Sequence, residues 1–144
     1  MKIALIFFAG LLITSSPQWL TNFEQAKTEA SQKHRYILLN FSGSDWCIPC
    51  IRLKKNVFES NEFKSFADSA LVLLNADFPR NNKISKLQLA HNELLAEQYN
   101  PAGKFPFTLL LDAEGNVLEK WDELTGTTVT AFILQVKNIV QKSR

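Results

Sequence analysis

Cysteine, net charge and linker-like sequence are all scarce in this chain. Its 144 residues include only two cysteines, too few for the disulfide framework of a small secreted scaffold. The 16 basic and 14 acidic side chains give a formal charge of +2 and no basic stripe, so nucleic acid is not an expected partner. Internal repeats and Gly/Ser/Pro-rich linkers are also missing, and 46% of the residues are apolar. These features predict one domain with a substantial hydrophobic core.

A long apolar run occurs only at the N-terminus. One lysine precedes the apolar stretch from Ile3 to Ile13, and small polar residues follow it. This pattern is typical of a secretory signal peptide and is too short for a transmembrane helix, so we assign residues 1–16 to a signal; a buried core segment is the alternative. No A-x-A pattern marks a cleavage site, and no cysteine closes the run as a lipid anchor would require. We expect a soluble, exported protein, periplasmic or otherwise outside the cytoplasm.

Capping residues and apolar spacing indicate several helices. The first is predicted over about residues 22–33, with Thr21 and Glu24 as its capping box. Another begins at the cysteine pair. The remaining helices open at serine or threonine: a short helix at Ser60, a helix from Ser85 and Gln88 that ends near Asn100, and a closing helix at Thr127 or Thr128.

Strands alternate with these helices. Tyr36–Phe41 and Ala70–Asp77 are short apolar runs, as expected of strands that are buried on both faces. Phe107–Asp112 and Val117–Asp122 flank a Gly-containing turn and predict an antiparallel hairpin. The order predicts an α/β fold with a mixed central sheet and helices on both of its faces.

The two cysteines stand in the stretch SDWCIPC, directly after the first predicted strand. Cys47 should begin a helix there, and Cys50 should lie one turn further on the same face, close enough for a disulfide. Backbone N–H groups and the partial positive charge of a helix N-terminus favour a thiolate. We therefore expect Cys47 to be the more exposed, attacking sulfur and Cys50 to be the buried sulfur that resolves the mixed disulfide. Ile48 and Pro49 form the turn between them, where proline costs no helical hydrogen bond.

Three segments carry a family resemblance: FSGSDWCIPCIRLKK after one strand, DFPR after the next, and KFPFTLLLDAEGN before the hairpin. In these the chain resembles the thioredoxin superfamily, especially exported bacterial proteins related to the C-terminal domain of thiol:disulfide interchange proteins. The resemblance spans about residues 19–140 and implies a thioredoxin-like domain over residues 19–144. It also implies that Pro106, preceded by Phe105, is a cis proline that receives the substrate backbone.

Two positions depart from the family pattern. The family's buried acid, which helps to move the proton of the resolving cysteine, maps onto Asn40, and an amide cannot titrate. Either Asp45, Glu59 or water would then take its role, or proton transfer would be slower. Phe107 also stands between Pro106 and Thr108, where the family has threonine directly after proline. A shifted or more apolar substrate groove is expected.

Other interpretations of these residues remain open. The cysteine pair is also compatible with a static disulfide or with a Cu(I) or zinc site, although His34 and His91 do not stand at the usual ligand spacings and are expected to face solvent. Trp46 is either a partly buried aromatic or part of the substrate surface. Phe105 and Phe107 flank Pro106 on the same side of a strand, so at least one of them can line the groove.

The sequence thus predicts a thiol:disulfide oxidoreductase that reduces protein disulfides outside the cytoplasm. Ile48 and Pro49 add no charge between the thiols, which favours reduction over strong oxidation. A dithiol oxidase or isomerase on the same fold and a non-enzymatic copper chaperone are the alternatives. No cofactor or metal is expected beyond the redox-active Cys47–Cys50 disulfide. The expected partners are protein thiols or disulfides and a membrane electron donor, with the protein itself a monomer.

Overall fold

A computed structural model describes residues 17–122, 124 and 126–143. The predicted signal, residues 1–16, lies outside the described residues. The described elements follow one another in this order: β1 (Trp19–Leu20), α1 (Phe23–Lys33), β2 (Tyr36–Ser42), α2 (Ile48–Leu53), a π-helical turn (Lys54–Phe58), α3 (Asn61–Ala70), β3 (Leu71–Asp77), α4 (Lys86–Tyr99), β4 (Phe107–Leu111), β5 (Val117–Trp121) and α5 (Val129–Lys142).

The strands form one mixed sheet in the order β1-β3-β2-β4-β5. The strands β1 and β2 both run parallel to β3, whereas β4 runs antiparallel to β2 and to β5. The two predicted buried runs are therefore neighbouring central strands. The α/β fold class with a mixed sheet and helices on both faces is confirmed.

Alternation along β2 divides the core into two layers. Ile37, Leu39 and Phe41 point to the layer that α1 and α4 cover, and Leu38 points to the layer under α2, α3 and α5. All four of these side chains are fully buried. Burial on both faces explains why the strand is a nearly continuous apolar run, interrupted by Asn40, rather than an alternating one.

The helix starts follow local chemistry, with one correction. Asn22, not Thr21, caps α1, since its side-chain oxygen accepts the N–H of Gln25 at 2.9 Å. Both residue types cap helices well, and they are adjacent, so the sequence did not separate them. Ser60 and Ser85 cap α3 and α4 as predicted, and of the two candidates Thr127 and Thr128 it is Thr128 that caps α5.

The capping box predicted at Ser85 is only half formed. The N–H of Gln88 bonds to the hydroxyl of Ser85, but the side chain of Gln88 donates to the carbonyl of Thr21 and to Asn92. This side chain therefore ties α4 to the start of α1 instead of closing the box.

Two other elements differ from the sequence-based expectation. The strand β1 has two residues, too few to leave a periodic pattern. His91 is half-buried and accepts the backbone N–H of Phe23 at 3.1 Å, so the expectation that it faces solvent is wrong, whereas His34 is exposed. Within the described ranges, no helix is long and apolar enough to cross a membrane.

Candidate active site

The cysteine pair lies where the central strand β2 gives way to α2. A turn closed by the Cys47 N–H on the carbonyl of Gly43, at 2.9 Å, brings Cys47 to the N-cap of the helix. Cys47 and Cys50 are joined by a disulfide, with Cα atoms 5.2 Å apart. The backbone N–H of Cys50 points at the sulfur of Cys47, 3.3 Å away. Pro49 stands in the first turn of α2, where a missing N–H is harmless.

The hydrogen bond from the Cys50 N–H to the Cys47 sulfur identifies Cys47 as the sulfur that is best placed to carry a negative charge. After reduction, the same N–H and the helix N-terminus would stabilise a Cys47 thiolate. Cys47 is not, however, the more exposed sulfur: the two residues are 4% and 5% exposed. The prediction of unequal exposure is wrong for the disulfide form, because Ile48, which is 57% exposed, and Pro49 take the outer side of the turn.

Trp46 is fixed beside the disulfide by contacts from three directions. Its indole N–H donates to the carbonyl of Phe78 at 2.7 Å. The ring of Phe105 meets the indole edge-on at 5.6 Å, and the guanidinium of Arg80 lies 4.0 Å from the ring centroid. Gly43 lies so close to the indole that a Cβ there would overlap the ring. Trp46 is half-buried, so it is both packed and partly open to a partner.

The segment around Pro106 contributes an aromatic side chain to the same cluster. The Phe105–Pro106 peptide bond is cis, and Pro106 is buried. Phe105 is half-buried and contacts Trp46 and Phe78, with ring centroids 5.6 Å apart in each pair. Phe107 instead packs in the core. The structure therefore brings Phe105, and not Phe107, to the redox turn, residues 44–50, which carries the Cys47–Cys50 disulfide.

A loop that sequence analysis did not assign to the site is bound tightly to it. The carboxylate of Asp45 accepts three backbone N–H groups from the loop after β3, those of Arg80, Asn81 and Asn82, at 2.9, 2.7 and 2.7 Å. These bonds, led by that of Arg80, hold the pKa of Asp45 below its usual value. Ser44 is fixed nearby, because its N–H and hydroxyl both donate to Asp77.

The residues behind Cys50 form an uncharged polar row. Asn40 donates to Asn75 at 3.1 Å and accepts the hydroxyl of Thr108 at 3.0 Å, across three adjacent strands. Asn40 and Cys50 both line a cleft of about 460 Å³. Both polar atoms of the Asn40 side chain thus have a hydrogen-bond partner, which explains why an amide is tolerated at 7% exposure.

Asp45 and Glu59 are the two acids considered for the role of the family's buried acid, and of these only Glu59 lines the cleft. Glu59 lines it together with Cys50 and lies 3.8 Å from the Lys54 ammonium. Both carboxylate oxygens of Asp45 already accept hydrogen bonds from the three backbone N–H groups. Glu59 and solvent are therefore the candidates left to receive the proton of Cys50. Among the residues described, no group of three or more His, Cys, Asp or Glu side chains is placed to hold a metal ion.

Comparisons with known proteins agree with this geometry. A family model described as thioredoxin-like matches residues 18–113. The disulfide bond reductase DsbH of Chlamydia pneumoniae is 35% identical over 124 residues, which cover 86% of this chain and 73% of that protein.

Solved structures give the same result. A structure described as DsbH oxidoreductase has a TM-score of 0.80 and 32% identity and covers 88% of this chain and 86% of that one. The oxidised C-terminal domain of DsbD from Neisseria meningitidis, at 16% identity and a TM-score of 0.56, covers 79% of this chain and 89% of that one and shares the fold. With its Cys47–Cys50 pair at the start of α2, the chain belongs to the thioredoxin-like family of disulfide oxidoreductases.

Proposed function

We propose that this protein reduces disulfides in other proteins, outside the cytoplasm, through the Cys47–Cys50 dithiol. The observation that carries the proposal is the sulfur of Cys47 at a helix N-cap, hydrogen-bonded by the Cys50 N–H and within bonding distance of a second sulfur. This arrangement favours a thiolate and supplies its resolving partner. The relative that is 35% identical is named a disulfide bond reductase, which supports the same direction.

The reaction is a two-electron exchange between sulfur atoms. The Cys47 thiolate attacks one sulfur of a substrate disulfide, forms a mixed disulfide and releases the other substrate sulfur as a thiolate. Cys50 then loses its proton and attacks the sulfur of Cys47. This step closes the Cys47–Cys50 bond and frees the second substrate thiol. Two electrons have moved from the dithiol to the substrate, and an external donor, which we expect to reside in the membrane, must return them.

The substrate would lie on the surface around the redox turn. Trp46 and Phe105 are partly exposed there, and Pro106 follows Phe105 directly. Ile48 is 57% exposed and extends the apolar character of this surface. An extended peptide carrying the target cysteine fits these contacts better than a small polar thiol does. The protein would act as a monomer, since one chain supplies both thiols.

Trapping of the mixed disulfide tests the proposal. Cys50→Ala removes the resolving sulfur, so Cys47 should stay covalently bound to client proteins, whereas the matched Cys47→Ala variant should trap none. The wild type should catalyse reduction of insulin by dithiothreitol, and both variants should lose that activity. Mass spectrometry of the adducts identifies the clients.

Three results would contradict the proposal. A reduction potential near about −120 mV would indicate an oxidase instead. Equal trapping by both variants would mean that Cys47 is not the attacking sulfur. Tight stoichiometric Cu(I) binding without any turnover would indicate a copper chaperone.

A further inference from the structure

The loop between β3 and α4 carries Arg80, whose positively charged side chain lies against Trp46 of the redox turn. Arg80 is exposed, and its guanidinium lies 4.0 Å from the centroid of the Trp46 ring. Its side chain makes no ion pair and no hydrogen bond with any residue that the structure describes. An arginine stacked on an aromatic face keeps its N–H donors at the edge of the plane, where a partner can use them.

The position of Arg80 is set by Asp45 and Trp46, two residues of the SDWCIPC stretch. The carboxylate of Asp45 accepts the N–H groups of Arg80 and the next two residues, and the indole N–H of Trp46 bonds to the carbonyl of Phe78. Trp46 and Asp45 thus fix the backbone on both sides of Arg80. A side chain that is already ordered loses less entropy when a partner binds than a free one does.

The charge around Arg80 is of one sign along its loop. From Phe78 to Ser85 the loop reads FPRNNKIS, with two basic residues and no acidic one, and Lys86 then opens α4. The nearest acid on the motif, Asp45, is directed at backbone N–H groups, and the Arg80 guanidinium forms no ion pair with it. The surface next to Trp46 therefore offers a positive, planar donor to an approaching chain.

We propose that Arg80 is a specificity residue that favours client cysteines with a neighbouring aspartate or glutamate. The client carboxylate would accept hydrogen bonds from the guanidinium while the client sulfur meets Cys47, which lies next to Trp46. Arginine is suited to this role because its planar donors match a carboxylate. The inference rests on the proposed reductase function and adds a substrate class to it.

Two matched cystine peptides test the inference. They differ only in glutamate or glutamine beside the reactive cysteine, and kcat/KM for reduction is measured with each. The ratio of the two values is the acid preference. Comparing that ratio between variants cancels the intrinsic reactivity of the peptides. The wild type should prefer the glutamate peptide by about two- to fivefold, as one exposed ion pair allows. The preference should appear in KM and weaken as ionic strength rises.

Three variants separate Arg80 from general charge. Arg80→Gln should lower the ratio about two- to fivefold relative to the wild type, and Arg80→Glu should lower it further. Lys83→Gln, which removes a charge from the same loop but from a residue that does not contact Trp46, should keep both the wild-type ratio and the wild-type rate. Thermal unfolding of each variant checks that the fold is intact.

The outcomes distinguish this inference from the function on which it rests. If the wild type reduces neither peptide, the reductase function fails. If the wild type reduces both peptides and Arg80→Gln keeps the wild-type ratio, or if Lys83→Gln lowers the ratio as much as Arg80→Gln does, the role of Arg80 is overturned while the reductase function stands.

Discussion

Asp45, two residues before Cys47, fixes the backbone of the loop after β3. Each of its carboxylate oxygens is bonded to backbone N–H groups of the loop after β3. Because those groups lie 35 to 37 residues away in sequence, no local pattern predicts the contact. Spacing alone was sufficient to place Cys47 and Cys50, since their chemistry depends on one helical turn. The sequence could therefore identify the disulfide-bonded cysteines but not the residues that hold Trp46 and Arg80 beside them.

Acidification should release this loop. Hydrogen bonds from the loop N–H groups lower the pKa of Asp45 in the folded protein, so their stabilising effect is fully present above the ordinary value of 3.8 and is lost as pH falls through the lower folded-state value. The amide resonances of Arg80, Asn81 and Asn82 should then shift together at a pH below 3.8. NMR titration provides the measurement.

The control for this titration is Asp45→Asn, which removes the titrating group. The three amides should lose their shared response in that variant. If the wild-type amides titrate at separate pH values, or at the ordinary aspartate value, Asp45 does not hold the loop as a unit.

Among the elements, β2 shows how one strand serves both packing and chemistry. Its apolar residues fill both core layers, while Asn40 joins Asn75 and Thr108 in the polar row behind Cys50. The register of the sheet places these three residues opposite one another. An isolated asparagine in an apolar run marks the position in the sequence, but its partners follow only from strand order.

Asn40→Asp should make stability depend on pH. Burial raises the pKa of the introduced carboxyl above its unfolded value, so the folded state binds the extra proton. The free energy of unfolding should therefore fall by about 1 to 3 kcal/mol as pH rises from about 4 to about 8. Urea unfolding at a series of pH values measures this change. The same carboxylate shares a cleft with Cys50 and should speed resolution of the mixed disulfide.

Asn92→Asp is the matched control, because Asn92 is also a buried amide whose oxygen and nitrogen each have a hydrogen-bond partner, but it lies on α4. It should lose stability with rising pH without speeding resolution. A stability of Asn40→Asp that does not change with pH would show that water reaches this position freely.

At the scale of the whole molecule, the sequence was sufficient for the fold class and for the elements that have a strong period. The helix starts at Ser60, Ser85 and Thr128 follow from chemistry within one turn. The strand β1 was not predicted because two residues carry no periodicity, and Asn22 was not distinguished from Thr21 because both residue types cap helices and the two are adjacent. Local rules predict local structure, whereas contacts between the redox turn and the loop after β3 depend on how the strands are ordered.

Export is the prediction that belongs to the full chain. We expect residues 1–16 to direct secretion, so a fusion of the full chain to alkaline phosphatase should be active in a bacterial host, since that enzyme matures only outside the cytoplasm. Deletion of residues 2–16 should abolish the activity. Leu11→Asp, which places a charge in the apolar run, should reduce it strongly. Equal phosphatase activity in all three fusions would contradict a signal function for this segment.

The hydrogen bond from Trp46 to Phe78 has a consequence for protein engineering. Transplanting SDWCIPC alone into another scaffold would leave the Trp46 indole N–H without its acceptor, the carbonyl of Phe78. The Asp45 carboxylate would likewise lose the backbone N–H groups that donate to it. A graft would need to carry the segment from Asp77 to Asn82 as well, together with a glycine at the position of Gly43. The redox turn is thus portable only together with a second chain segment, and the contact of Phe105 with Trp46 adds a third.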